Sequence, residues 1–187
     1  LKKLNSYISS YDVVIVVDYG HGLLTPNIIN TLEDKAAFLA VNTQLNSFNV
    51  AFHSISKYKR ADYICIHSGE LRHDYRNRND GIESLTKMLA ERIDAKYVTI
   101  TLGNKGSMVY NAEKFIYCPA FADKVVDRVG AGDTLLAITS LCFAKGIDER
   151  ITILLGNLSA AETVAITGTG NSLNKTNLLK TVKTLLK

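Results

Sequence analysis

The sequence predicts an α/β protein with a doubly wound, mainly parallel sheet and helices on both faces. Three observations carry that expectation. Val13-Val14-Ile15-Val16-Val17 is a continuous β-branched run, apolar on both faces, which suits a buried parallel strand. Further apolar runs alternate with stretches of helical period, the order that builds βαβ units. Strand after strand ends in polar or glycine-rich residues, at 18–22, 42–44, 67–70 and 103–106. Those ends should line one shared crevice, where open α/β sheets bind ligands.

The elements follow in order. The chain starts at Leu1 in what reads as a helix already under way, and is taken as a piece of a longer polypeptide. The first strand, 13–17, ends in Asp18-Tyr19-Gly20-His21-Gly22. Thr25 caps a helix whose first residue is Pro26, a position where the missing N–H costs nothing. That helix runs to about residue 37, and a second strand, 38–41, ends in Asn42-Thr43-Gln44. Residues 45–59 are polar and aromatic without clear period and read as a loop with a short helix. A third strand covers 61–66. A helix over 81–92 has Ile82, Leu85, Met88 and Leu89 at helical spacing. A fourth strand covers 97–101, and a hairpin joins 107–110 to 115–118 across a polar turn. Three helices close the chain, from the Gly130 turn to about 145, over 149–166 and over 175–186.

At 187 residues the chain is long enough for one domain with a sizeable core. Hydrophobic residues are 47% and charged residues 21%, ordinary for a globular protein. The net charge of +4 is scattered and gives no case for nucleic acid; the densest basic group, Arg72, Arg76 and Arg78, reads as a solvated face. Cys65, Cys118 and Cys142 are widely spaced in apolar runs, with no CxxC and no zinc-ligand spacing. They read as reduced core thiols, and a cytoplasmic location is expected. No apolar run is long enough to span a bilayer.

The chemistry concentrates in Asp127-Arg128-Val129-Gly130-Ala131-Gly132-Asp133. A turn of small residues lets backbone approach a ligand, and the helix behind it offers N–H groups and a positive dipole end to phosphate oxygens. Asp133 would repel that phosphate, so its presence needs a reason; a general base beside a reacting phosphoryl group is one. A helix cap after a flexible turn is the plainer alternative. Other positions carry similar pairs of readings. Gly103 and Gly106 fit an ordinary turn or a nucleotide site, Glu70 a helix-starting acid or a metal-organising carboxylate, and Asp18 a turn cap or a substrate contact.

The Asp-x-x-Gly-Ala-Gly-Asp pattern, with Ala137 four positions on, resembles the second signature of the ribokinase-like sugar kinases, the phosphofructokinase B family. The resemblance covers essentially the whole chain. It implies Asp133 as the base that takes the sugar hydroxyl proton, and Gly130, Ala131 and Gly132 as the cradle of the transferring phosphate. Thr101, Gly103 and Gly106 resemble the family's Thr-x-Gly-x-x-Gly segment and Asn157 its adenine-side helix, which implies ATP contacts. His67-Ser68-Gly69-Glu70 resembles Asn-x-x-Glu, which implies Glu70 in organising Mg²⁺; His67 in place of Asn is the clearest departure, and Ile138 in place of Gly or Ala is a second. Asp18 and Asn42, with Thr43, Gln44 and Asn46, resemble the heptose-phosphate kinase branch and imply substrate contacts. In that branch the kinase is commonly joined to a nucleotidyltransferase.

Residues 1–187 are thus expected to form the nucleotide-binding and catalytic portion of a sugar kinase domain, with the family's N-terminal part and lid lying outside the chain. The implied reaction uses ATP and Mg²⁺ on a sugar or sugar phosphate. No nucleic acid or membrane partner is expected; a homodimer is the pairing that ribokinase-like lids often make. Two alternatives stand beside it: a non-catalytic nucleotide-binding or assembly module that kept the fold, and an unrelated α/β binding domain.

Overall fold

Strands β1 (Val14–Asp18), β2 (Leu39–Thr43), β3 (Tyr63–His67) and β4 (Tyr97–Thr101) lie side by side in chain order, and all pair in parallel. This computed structural model describes residues 1–47, 49–50, 53–122, 125–165 and 173–185. The chain divides into two compact units, one of residues 1–101 with 109–115 and one of residues 102–108 with 116–187.

In the first unit the register sets Asp18 beside Thr43 and His67 beside Thr101, so the polar strand ends do fall along one edge. β2 is buried at every position, and β3 and β4 at all but their last residue. β1 corrects the expectation of a strand buried on both faces. Val16 and Asp18 are buried, while Ile15 and Val17 are 36% and 37% exposed. The reason is position: β1 stands first in the strand order and is covered on one face only.

Around these strands lie α1 (Lys2–Tyr7), α2 (Pro26–Lys35), α3 (Ser68–Asp74) and α4 (Ile82–Arg92). Pro26 opens α2, and Ile29 and Leu32 form its buried side; Thr25 holds the cap position without a side-chain bond to the helix. The buried stripe of α4 is Leu85, Thr86, Leu89 and Ala90 rather than the expected stripe through Met88, which is exposed. Thr86 tolerates burial because its hydroxyl donates back to the Ile82 carbonyl at 2.7 Å. In 45–59 the regular structure among the described residues is one turn of 3₁₀ helix, Ile55–Lys57. α3 was not among the expected helices, although the reading of Glu70 as a helix-starting acid matches its first turn. Its start is hidden in what reads as a turn, His67-Ser68-Gly69-Glu70.

β5 (Ser107–Tyr110) and β6 (Phe115–Cys118) continue the strand order after a 3₁₀ turn, Gly103–Lys105. Their short connection makes them the expected hairpin, with the Asn111 side chain accepting from the N–H groups of Glu113 and Lys114. The second unit also holds α5 (Ala131–Ala144), α6 (Glu149–Val164) and α7 (Lys175–Leu185). Asp148 caps α6 through bonds to the N–H groups of Arg150 and Ile151. The expected helix ends at Ile166 and Leu186, and the glycine stop Gly168-Thr169-Gly170-Asn171, lie outside the described residues.

Two glycines in this unit are dictated by close approach. A Cβ on Gly156 would meet Thr139 Cγ2 at 2.6 Å and Leu135 Cγ at 3.2 Å, so α6 lies against α5 through a notch that only hydrogen fits. Gly106 has φ +91°, and a Cβ there would meet the Cys118 carbonyl oxygen at 2.1 Å. Gly156→Ala is therefore expected to cost ~1–3 kcal/mol through overpacking, read as a lower urea midpoint at unchanged slope.

Candidate functional site

α5 begins at Gly130, which takes the cap position in a left-handed conformation, φ +83°. Glycine adopts this without strain. Ala131, Gly132 and Asp133 are then the first three helical residues, whose N–H groups have no acceptor within the helix. Gly130 has no side chain to cap them. Asp133 is therefore not the capping residue; it stands half-buried at the third helical position, on the positive end of the dipole. Gly132 has an ordinary helical backbone, and a Cβ there would meet nothing within 4 Å. Nothing among the described residues requires glycine at 132.

Neighbouring segments brace this turn. The N–H groups of Val126 and Asp127 donate to the Val164 carbonyl at 2.7 and 3.2 Å, and Thr163 Oγ1 donates to Thr134 Oγ1 at 3.0 Å. Asp127 accepts from the Val129 N–H at 3.0 Å, closing the approach to Gly130. In the same unit the Leu102 N–H donates to the Gly106 carbonyl at 2.8 Å across the exposed Gly103–Lys105 turn. Gly103 has φ +63° with open space where a Cβ would be, whereas Gly106 is explained by its contact with residue 118. Asn157 is buried in α6, donating to Ser107 Oγ at 2.7 Å and the Ile153 carbonyl at 2.8 Å. Its amide thus ties α6 to the start of β5.

The strand ends of the first unit hold a second constellation. Asp18 is buried, with one carboxylate oxygen bound by the Tyr58 hydroxyl at 2.7 Å and by the Lys57 ammonium, and the other by the Gly20 N–H at 3.0 Å. Burial raises the carboxyl pKa, but these bonds and the lysine charge outweigh it and hold Asp18 below the ordinary carboxylate value. Tyr58, buried against that anion, is pushed up strongly. The Asp18 carbonyl accepts from His53 Nε2 at 2.9 Å, and Asn49 Nδ2 bridges the carbonyls of Tyr19 and Gln44, both at 2.8 Å. Asn42 is buried one position back on β2; its amide donates to the Cys65 carbonyl at 2.8 Å and its Oδ1 has no hydrogen-bond partner.

Asn49, His53, Lys57 and Tyr58 were not expected as site residues, since 45–59 shows no helical or strand period. A signal was present in composition: Asn46, Asn49, His53, Lys57 and Tyr58 fall within a stretch that follows a strand end directly.

Glu70 completes a capping box. His67 Nδ1 accepts from the Gly69 N–H at 3.0 Å, and Glu70 accepts from the His67 N–H at 2.7 Å. The other Glu70 oxygen accepts from the Leu45 N–H at 3.2 Å. Burial raises the Glu70 pKa despite those two bonds. His67 thus does the capping work that an Asn at that position can do, which accounts for the departure without a metal. Among the described residues no group of three His, Cys, Asp or Glu side chains could hold an ion alone. One carboxylate still fits Mg²⁺, which takes most of its ligands from water and substrate phosphates.

Comparison with known proteins bears on what this arrangement serves. The pattern of the pfkB family carbohydrate kinases matches residues 22–177. The chain belongs to the pfkB carbohydrate kinase family. Relatives within it include the bifunctional protein HldE of Koribacter versatilis, 33% identical over 167 residues, covering 87% of this chain and 34% of that protein. HldE of Campylobacter fetus is 28% identical over 181 residues, covering 92% and 37%. The chain spans about a third of the length of these relatives. Among solved structures, phosphofructokinase-2 of Escherichia coli in complex with potassium superposes with a TM-score of 0.80 at 14% identity, covering 100% of this chain and 62% of that one. Arabidopsis thaliana ribokinase complexed with ribose and ATP gives 0.79 at 17%, covering 98% and 59%. The pfkB chain therefore has the ribokinase-like α/β fold that its alternation of strands and helices predicts.

Cys65 and Cys118 are buried, Cys142 is half-buried, all are free, and burial pushes Cys118 up to about 11. No helix among the described residues is long and apolar enough to cross a membrane.

The sign of the Asp18 effect on stability is fixed by its lowered pKa. The carboxylate stabilises the fold above its unfolded value near 3.8, and that contribution is lost as pH falls through the lower folded value. Asp18→Asn is expected to lose less stability than the parent chain as pH falls below about 4, measured by urea unfolding. Asp74, also held low despite its burial, stays in both chains and cancels in the difference.

Proposed function

We propose that this chain provides the nucleotide-binding and catalytic part of an ATP-dependent carbohydrate kinase that phosphorylates a hydroxyl of a sugar or sugar phosphate. The observation that carries the reading is Gly132. A glycine inside the first turn of a helix costs ~0.5–1 kcal/mol relative to alanine, and no contact among the described residues requires it. The missing side chain keeps open the space in front of three helix-starting N–H groups, which is what a phosphoryl group needs. Membership of the pfkB family supports the same assignment.

In this mechanism the sugar hydroxyl oxygen bonds to the γ-phosphorus as the bond to the bridging β,γ-oxygen breaks, and ADP leaves. Asp133 takes the hydroxyl proton. The N–H groups of the 130–132 turn and the dipole of α5 stabilise charge on the phosphoryl oxygens. Thr101, Gly103, Gly106 and Asn157 are assigned to the nucleotide side, and Asp18 and Asn42 to the acceptor. Mg²⁺, when bound, neutralises phosphate charge, and Glu70 is the side chain that would meet it or its waters. Such a reaction belongs in the cytoplasm, where ATP is supplied. The relatives called bifunctional support a further proposal, that the kinase part is joined to a nucleotidyltransferase part.

Two variants of the full-length protein test the reading. Asp133→Asn is expected to bind ATP normally and to lose ~10²–10⁴-fold in turnover, measured by sugar-dependent ADP release. Near-normal turnover would remove Asp133 as the base, and ATP binding without any turnover in the parent protein would favour the non-catalytic module. Gly132→Ala is expected to be as stable as the parent or more so, by about 0.5–1 kcal/mol, while turnover falls. A loss of stability in that variant would mean that the fold, not the phosphate, requires the glycine.

A further inference from the structure

The irregular segment that brings Lys57 and Tyr58 to Asp18 is itself held by α3. Glu70 and Asp74 lie four residues apart on that helix, which puts them on one face. Glu70 accepts from the Leu45 N–H at 3.2 Å, and Asp74 from the Ser56 N–H at 3.2 Å. One face of α3 thus grips the segment near both of its ends.

The Asp74 contact does a particular job. The 3₁₀ turn Ile55–Lys57 opens with N–H groups that have no acceptor inside the turn. Ser54, at its cap position, makes no side-chain bond to them. Asp74 supplies an acceptor from another element. Its Oδ1 takes both the Ser56 N–H and the Ser56 hydroxyl, the latter at 2.5 Å. Its Oδ2 takes Arg92 Nη2 from the last turn of α4, and the Arg92 guanidinium lies over the Tyr75 ring, 4.5 Å from the centroid. The Asp74 side chain is 1% exposed. Burial raises its pKa, but the bonds from Ser56, Arg92 and Ser54 outweigh burial and hold it below the ordinary carboxylate value.

A buried carboxylate paired with an arginine adds little net stability compared with apolar groups of the same volume. Orientation is what it supplies here. Lys57 is the last residue of the turn and Tyr58 the next, and both side chains meet one Asp18 oxygen. Lys57 also lines a cavity of about 240 Å³ beside Asp18, with Gly20, Asn49 and His53 in the same wall. The turn is closed by the Tyr58 N–H on the Ile55 carbonyl at 3.1 Å. A single short turn of this kind is too weak to aim two side chains by itself.

We propose that Asp74, held by Arg92, is a positioning residue for the acceptor side of the reaction: it caps the Ile55–Lys57 turn from α3 and so sets Lys57 and Tyr58 on Asp18. The proposal rests on the sugar kinase reading, in which Asp18 faces the acceptor. Asp74 acts through the backbone of the turn and touches no substrate. Because Glu70 grips Leu45 from the same helix face, α3 ties this loop to the carboxylate assigned to Mg²⁺.

The test uses the full-length protein with Asp74→Asn, Ser56→Ala and the double variant. Amide hydrogen exchange, followed by mass spectrometry, reads the turn without any substrate. In Asp74→Asn the peptide spanning 53–58 is expected to exchange roughly tenfold faster, the worth of one hydrogen bond to a charged group, while β3 and β4 keep their rates. Unchanged exchange at 53–58 overturns the proposal, and so does equal acceleration throughout the first unit, which would mean a general loss of stability. Ser56 is exposed, and its substitution leaves no buried charge unpaired, so Ser56→Ala keeps the test open if Asp74→Asn fails to fold. It is expected to speed the same peptide, and the double variant to be no faster than Asp74→Asn alone; additive effects overturn the proposal. Sugar-dependent ADP release, with D-ribose, D-fructose, D-mannose or D-fructose 6-phosphate, gives a readout that a merely structural role would not move. With the sugar that the parent phosphorylates, Asp74→Asn is expected to raise the acceptor KM roughly tenfold and to leave the ATP KM as it was. An unchanged acceptor KM, or an equal rise in both constants, overturns the proposal. Failure of the kinase reading looks different: the parent releases no ADP with any sugar offered, and the exchange arm still decides whether Asp74 holds the turn.

Discussion

A carboxylate buried at the carboxyl end of β1 is the constraint from which the first unit is built outward. Asp18 has almost no contact with water, so every lone pair that water would have filled must be served by the chain. Tyr58 and Lys57 come from nearly forty residues downstream to do so, and Gly20 turns its N–H back from the same strand end. Once those bonds are made, Asn49, His53, Lys57 and Tyr58 all stand around the same strand end. Asn49 stitches Tyr19 to Gln44, and the Asp18 carbonyl collects the Gln44 N–H and the His53 ring. The energetic logic is that of a buried ion pair: it adds modest net stability when complete and costs several kcal/mol, roughly 3–5, when one partner is removed. Its value lies in specifying one arrangement of an irregular loop beside a ligand-sized cavity.

The second unit is governed by close approach rather than charge. The notch at Gly156 lets α5 and α6 pack with Thr139 and Leu135 almost touching the opposite backbone. Thr139 and Ser140 are buried in α5 without disturbing it, because each hydroxyl returns to the carbonyl of the preceding turn. Asn157 then anchors α6 to Ser107 at the head of β5. Each polar group in this interface has a structural partner, so the buried amide at 157 has a role in the fold whether or not it also borders a nucleotide.

Much of this was legible in the sequence, and what was not has identifiable causes. β4 occupies the five residues that its β-branched pattern predicts, because a strand buried on both faces has nothing to interrupt its apolar run. The hairpin and the start of α5 were legible because Asn111 and Gly130 carry local backbone rules. The half-exposed β1 was not, since a run of valines looks alike in the centre and at the end of a sheet; only the strand order distinguishes them. α3 escaped because its cap is a histidine, a residue whose capping role depends on which ring nitrogen faces the helix. The Lys57 and His53 pairing escaped for a different reason. It joins residues 35 to 40 positions from Asp18, and no local spacing encodes such a contact. Glycines showed the same division. Those at 106 and 156 are explained by what lies against them, and the one at 132 by nothing among the described residues.

The way α6 supports the beginning of α5 bears on the thermodynamics of recognition. Val164 receives two N–H groups from the approach to Gly130, and Thr163 grips Thr134 from the side. The donors of the first turn are thus oriented during folding, so a phosphate bound there in the proposed reaction would find those N–H groups already aimed. Little conformational freedom is left to surrender on association, so the heat released by the new contacts is not cancelled by an ordering term.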